Sequence, residues 1–184
     1  KDAAFGLKPI GKVGQNRDNQ GLSEYDIAAS ATAIFQNDPV EMAATGTITV
    51  AAATDTLLGS LTGVFFTDAS TSKPTFANHL KGSNTATDIK GFVADDPYER
   101  FEIQSDDATA AADVGLNADI VYAAGSSPNY VSKVELDHSD LKTATAQLRV
   151  LAISKDIENN EAGSANVNLV VMINEHFLKG TTGI

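Results

Sequence analysis

At 184 residues, 42% of them hydrophobic, the chain is long enough for one ordinary domain with a real core, or one domain with an extended arm. Its 24 acidic side chains against 13 basic ones give a formal net charge of −11, a surface that repels phosphate backbones and argues against a nucleic-acid partner. The absence of cysteine excludes disulfides, thiolate metal sites and cysteine nucleophiles. No apolar run approaches the roughly 20 residues that a helix needs to cross a bilayer, so a soluble protein without a membrane partner is expected. The opening residues carry no signal-peptide apolar block, and a chain that starts at Lys1 without an initiator Met leads us to expect a few further leading residues.

Residues 1–21 are rich in glycine, contain Pro9, and scatter their apolar side chains with neither helical nor strand period. Such a segment reads as an extended arm whose isolated apolar residues Phe5, Leu7, Pro9, Ile10 and Val13 are candidate anchors on a neighbouring surface. From residue 22 to 184 the signal is β. Strands are expected at 24–30, 45–50, 57–66, 89–94, 98–104, 119–123, 130–136, 146–153 and 166–174. Thr47 and Thr49 alternate with Ile48 and Val50, as in a half-buried strand. Leu148, Val150 and Ala152 share a face opposite Arg149. Val167, Leu169, Val171 and Ile173 form one face of the last strand, whose later part is apolar on both faces and is expected to be buried on both sides.

The connections carry turn chemistry: Asn37-Asp38-Pro39, Asp95-Asp96-Pro97 and Ser126-Ser127-Pro128-Asn129. Residues 68–84 are too polar for a core strand and read as a long surface excursion, and 105–112 as an acidic loop. One short helical turn is expected at 139–143, capped by Ser139 or Asp140. The sum is an all-β chain, an antiparallel β-barrel or β-sandwich body with an extended N-terminal arm.

Chemistry is harder to find. Gly6-Leu7-Lys8-Pro9-Ile10-Gly11-Lys12 matches the first part of a phosphate loop, but Val13 stands where the metal-binding hydroxyl belongs and no strand precedes it. His79, His138 and His176 are single and widely spaced, without the pairing of a zinc motif. Asp95, Asp96 and Glu99, like Asp106 and Asp107, lack the spacing of a calcium loop and read as turn formers, with a weak calcium site at 95–99 kept as the alternative. No serine sits in a GxSxG elbow. No catalytic, cofactor-binding or metal residue is therefore assigned, and the chain is expected not to be an enzyme.

Blocks along the whole chain carry a resemblance. They are Asp2-Ala3-Ala4-Phe5-Gly6-Leu7-Lys8-Pro9, Ile34-Phe35-Gln36-Asn37-Asp38-Pro39-Val40, Leu58-Gly59-Ser60-Leu61-Thr62-Gly63-Val64-Phe65, Asp95-Asp96-Pro97 with Phe101-Glu102-Ile103-Gln104, and Val171-Met172-Ile173-Asn174-Glu175-His176. In these the chain resembles the capsid decoration, cement or head-stabilising proteins of tailed bacteriophages. The resemblance implies a β-barrel-like body over junctions between major-capsid subunits on the outer surface of the virion, commonly as a homotrimer, cementing the shell after it expands. An arm would add multivalent reach: once the body docks, the arm binds at high effective concentration. The alternative is a receptor- or glycan-binding module of a head fibre, built from loops 68–84 and 126–129 with Tyr98, Tyr122 and Tyr130 as stacking aromatics. A shell or tube subunit and a hydrolase are the remaining alternatives.

Overall fold

The computed structural model describes residues 1–14 and 21–180. In chain order its strands are β1 (Lys8–Lys12), β2 (Ser23–Asp26), β3 (Pro39–Met42), β4 (Ile48–Val50), β5 (Gly59–Thr67), β6 (Pro74–Ala77), β7 (Lys90–Ala94), β8 (Glu99–Gln104), β9 (Asn117–Ala118), β10 (Ile120–Val121), β11 (Glu135–Leu136), β12 (Leu148–Ile153) and β13 (Asn168–Ile173). Helix among the described residues is limited to three short 3-10 turns, Ala111–Asp113, His138–Asp140 and Phe177–Lys179. The structure is thus almost all-β, and no helix among the described residues is long and apolar enough to cross a membrane.

Two antiparallel sheets dominate. The first runs β1-β8-β13-β12-β9; the second runs β2-β7-β5-β3-β4, with β6 also paired to β5; a small ladder joins β10 to β11. Period-2 alternation sets the faces. In the first sheet Phe101, Ile103, Leu148, Val150, Leu169, Val171 and Ile173 point to one core, which Ile120, Val134 and Leu136 cover. In the second, Val40, Ile48, Leu61, Val64 and Val93 point to another core with Ile27, Ile34, Leu80 and Ile89. The cores are stitched together where adjacent residues point into different ones: Leu57 enters the first core and Leu58 the second, and Val93 and Ala94 divide the same way. A register like this tolerates no slip, because a one-residue shift would turn each apolar set to solvent.

Several elements differ from expectation. The stretch 130–136 supplies only β11 at its end, because Tyr130 takes φ +54° and turns the chain. The one-turn helix starts at His138, with the Asp137 side chain, not Ser139 or Asp140, accepting from the Asp140 amide. β3 and β6 arise where no strand is expected; β6 lies inside the polar excursion 68–84 and pairs Phe76 with Phe65.

The described part of the expected arm is packed onto the body. β1 pairs with β8, placing Lys8 opposite Glu102 and Gly11 opposite Arg100. Leu7 is 0% exposed and belongs to the first core. The Leu7 amide donates to the Asn37 carbonyl at 2.9 Å, and the Ser60 hydroxyl donates to the Leu7 carbonyl. Before it, Gly6 sits at φ +73°, and a Cβ there would lie 2.3 Å from the Asn37 carbonyl oxygen. The Lys1 ammonium and carbonyl are held by Asn159, and the Ala3 amide donates to Gln104 at 2.8 Å. The physical reason is the backbone: a segment with little apolar surface of its own is ordered by completing a sheet edge and filling one deep pocket. The rest of the expected arm, residues 15–20, lies outside the described residues.

Candidate interaction surfaces

Of the five candidate anchors, two face outward. Ile10 is 42% and Val13 46% exposed, Phe5 and Pro9 are half-buried, and Leu7 is consumed by the core. Ile10 is exposed for a local reason. The register between β1 and β8 shifts between Pro9 and Gly11, so Ile10 is the extra residue of a β-bulge and leaves the ladder. A second bulge between Val150 and Ala152 does the same to Leu151 on β12, and moves Ala152 off the Leu148–Val150 face onto the row of Val170. Both bulged side chains line a groove of about 700 Å³ on the outer face of the first sheet, together with Val13, Val170, Met172, Arg100 and Lys155.

Cross-strand pairing orders that face into two rows. One runs Gly11, Arg100, Met172, Arg149, Asn117; the other runs Lys8, Glu102, Val170, Ala152. Glu102 is answered by Lys8 at 3.3 Å and by the Ser154 hydroxyl. Among the described residues the Arg149 side chain donates only to the Asn117 amide oxygen, at 3.0 Å. Lys179 sits over the Tyr98 ring at 4.8 Å, and burial, followed by the nearby Arg149 guanidinium, pulls its ammonium below the usual lysine range. Val170 and Met172, expected to be buried on this side, are only half-buried. No layer of the described chain covers them.

Two aromatic groups lie elsewhere. On the second sheet Phe76, 72% exposed, packs at 4.9 Å from Phe65 and 5.9 Å from Phe92, measured between ring centres. At the loops, His79 stacks on Tyr130 at 3.8 Å with the Phe35 ring beyond it, and the Asn78 amide donates to the Asn129 carbonyl at 3.2 Å. The loops 68–84 and 126–129 therefore meet, and of the three candidate tyrosines this cluster holds Tyr130. The Tyr25 hydroxyl donates to Asp95 at 2.6 Å, and burial together with that carboxylate pushes it up to about 12.

The polar clusters are committed to the fold. Asp95 accepts from Tyr25 and Ser23 through separate oxygens. Asp96 is bound by Lys12 at 2.7 Å and by the Tyr98 amide, and Glu99 accepts from the Gly11 amide. Among the described residues no group of three acids or histidines has metal-binding geometry. The Gly11 amide of the phosphate-loop-like stretch is taken by the Glu99 carboxylate, which occupies the donor that a phosphate would need and puts a negative charge beside it. The histidines do not meet: His79 stacks with Tyr130, His138 lies 4.0 Å from Asp113, and His176 is buried, its Nδ1 accepting from the Leu178 amide. Among the described residues His176 Nε2 and Asp38 Oδ1 are buried without a hydrogen-bond partner. Burial drives the His176 imidazole down to about 4 and the Asp38 carboxyl up to about 6.

No family model, curated protein or solved structure matches this chain.

Proposed function

We propose that the chain is a non-enzymatic structural protein of a tailed-bacteriophage virion, which binds the outer surface of the capsid and cements neighbouring major-capsid subunits after shell expansion. The observation that carries this reading is the outer face of the first sheet, where bulges turn Ile10 and Leu151 outward beside half-buried Val170 and Met172. An apolar strip in a polar rim is the kind of surface that soluble proteins reserve for partners. Asp95, Asp96 and Glu99 are engaged in hydrogen bonds and an ion pair, and the three histidines lie apart, which favours a binding role over catalysis. In this reading the body is a β-barrel or β-sandwich, the assembly a homotrimer, and the partner the major capsid protein. Ile10 and Val13, with Phe5 and Pro9 beside them, take the contact role, and Leu7 supports them from the core. Co-sedimentation with undecorated expanded heads of the parent phage tests this, with unexpanded proheads as comparison.

A second reading rests on the meeting of loops 68–84 and 126–129 around His79 and Tyr130. Stacked rings flanked by Asn78, Gln36 and Asn129 are the elements of a glycan-binding surface on a head fibre. Saturable binding on a glycan array, lost in Tyr130→Ala, would favour it over capsid binding.

A further inference from the structure

The outer face of the first sheet differs from the rest of this acidic molecule in charge as well as polarity. Arg100 stands between Gly11 and Met172 in the pairing row, and Arg149 stands on the far side of Met172. Lys155 lies on the rim of the groove. Among the described residues the Arg100 and Lys155 side chains make no hydrogen bond or ion pair, with Glu99 the carboxyl that feels the Arg100 charge, and Arg149 has no carboxylate partner. In a chain with 24 acids and 13 bases, cations left unanswered beside an apolar floor are an electrostatic vacancy. The acids of this face are Glu102, paired with Lys8 at 3.3 Å, and Asp156, a carboxylate at the rim beside Lys155 that accepts from the Glu158 amide at 3.3 Å, so the excess of cations is small.

We propose that this groove docks an extended polypeptide segment of a partner that presents apolar and carboxylate side chains on the same face, the apolar ones seated on Ile10, Leu151, Val170 and Met172 and the carboxylates on Arg100 and Lys155. Three considerations select this occupant. The floor is apolar, so a purely charged ligand would leave it uncovered. The cations are few and the molecule carries −11 overall, so a polyanion such as nucleic acid or a phosphate polymer is repelled at long range. Arginine offers a planar fork suited to bidentate carboxylate recognition. The β-bulges that expose Ile10 and leave Leu151 half-buried at the groove are local departures from regular pairing that re-aim side chains, as bulges beside functional surfaces do.

This deepens the capsid-binding reading by giving the contact segment a chemistry, and the test separates the two. The first arm titrates wild type, Arg100→Glu and Lys73→Glu onto expanded heads. Wild-type binding with at least tenfold weakening in Arg100→Glu and none in Lys73→Glu supports the proposal; equal binding by all three overturns it while the capsid reading stands. The second arm needs no heads: a bead-bound random hexapeptide library is selected with wild-type protein, and the recovered peptides are resynthesised. Peptides enriched in carboxylate and apolar residues that lose at least tenfold affinity for Arg100→Glu support the proposal. Peptides without acidic bias, peptides indifferent to Arg100→Glu, or no recovered peptide overturn it. Concentration-dependent self-association of wild type that Arg100→Glu abolishes would also overturn it, by assigning the face to a second copy of the chain. Thermal melts establish that Arg100→Glu, altered at an exposed position, remains folded.

Discussion

Leu7→Ala is the sharpest probe of how the N-terminal segment is held. Leu7 is fully buried in the core of the first sheet, with its amide bound to Asn37 and its carbonyl to Ser60. Truncation to alanine removes about 2 kcal/mol of transfer free energy, at roughly 0.8 kcal/mol per buried methylene. Because both backbone groups are pinned, the pocket cannot collapse around the smaller side chain. A cavity term then raises the expected loss to about 3 to 4 kcal/mol. Ile10→Ala, at a 42% exposed bulge position three residues on, is the internal control and should cost about 0.5 to 1 kcal/mol. Urea denaturation followed by circular dichroism reads both. With a slope of roughly 2 kcal/mol per molar, Leu7→Ala should lower the midpoint by about 1.5 to 2 M. An arm that hangs free of the body predicts no difference between the variants; a loss under about 1 kcal/mol for Leu7→Ala would refute its placement in the core. By the same logic, deleting residues 1–12 should destabilise the body, so it is a poor way to test partner binding.

Buried Asp38 and His176 give opposite pH dependences. Asp38, raised from 3.8 to about 6, binds a proton more readily folded than unfolded, so its contribution is present at low pH and is lost as pH rises from about 4 to 6. His176, lowered from 6.5 to about 4, contributes stability above about pH 6.5 that is lost as pH falls towards 4. Each is worth roughly 3 kcal/mol, and the two nearly cancel between pH 4 and 6. Asp38→Asn should therefore gain roughly 3 kcal/mol relative to wild type between pH 4 and 7, and in that background stability should fall steadily on acidification from about pH 6.5; denaturant titrations showing a pH-independent difference would contradict this. Gly6→Ala should cost more than about 2 kcal/mol, because φ +73° and the 2.3 Å approach to the Asn37 oxygen both oppose a side chain, and a melting temperature within a degree of wild type would count against it. Phe76→Ser should change stability by no more than about 1 kcal/mol, the value of its aromatic pairs, while lowering binding of a hydrophobic dye; a large loss of stability would show that its 72% exposure misrepresents its role.

Long alternating strands were readable because their period is written in single residues. Leu169, Val171 and Ile173 lie inward on β13 as their spacing requires, and Phe101 and Ile103 do the same on β8. β1 was hidden because its order comes from backbone pairing and one core side chain, Leu7, and not from an apolar face. β6 was hidden because Phe76 points to solvent, so the strand lacks the alternation that marks a half-buried one. The bulges at Ile10 and Leu151 have no local sequence signal that separates them from ordinary strand residues, and they decide which side chains reach the groove. The doubly apolar end of β13 did not predict burial on both sides, because apolar side chains alone do not supply a covering layer. Val170 and Met172 are half-buried beside the groove, so the expected burial on both sides is not found among the described residues. The juxtaposition of Arg100, Met172 and Arg149 is a product of register across three strands and is invisible in a linear reading.

The measurement that bears most directly on the proposed role is the binding isotherm of the purified chain on undecorated heads of the parent phage, taken in parallel for expanded heads and unexpanded proheads. The account predicts saturable binding to expanded heads, at a fixed copy number per shell, and at least tenfold weaker binding to proheads. No saturable binding to either, or binding that does not distinguish them, would contradict it.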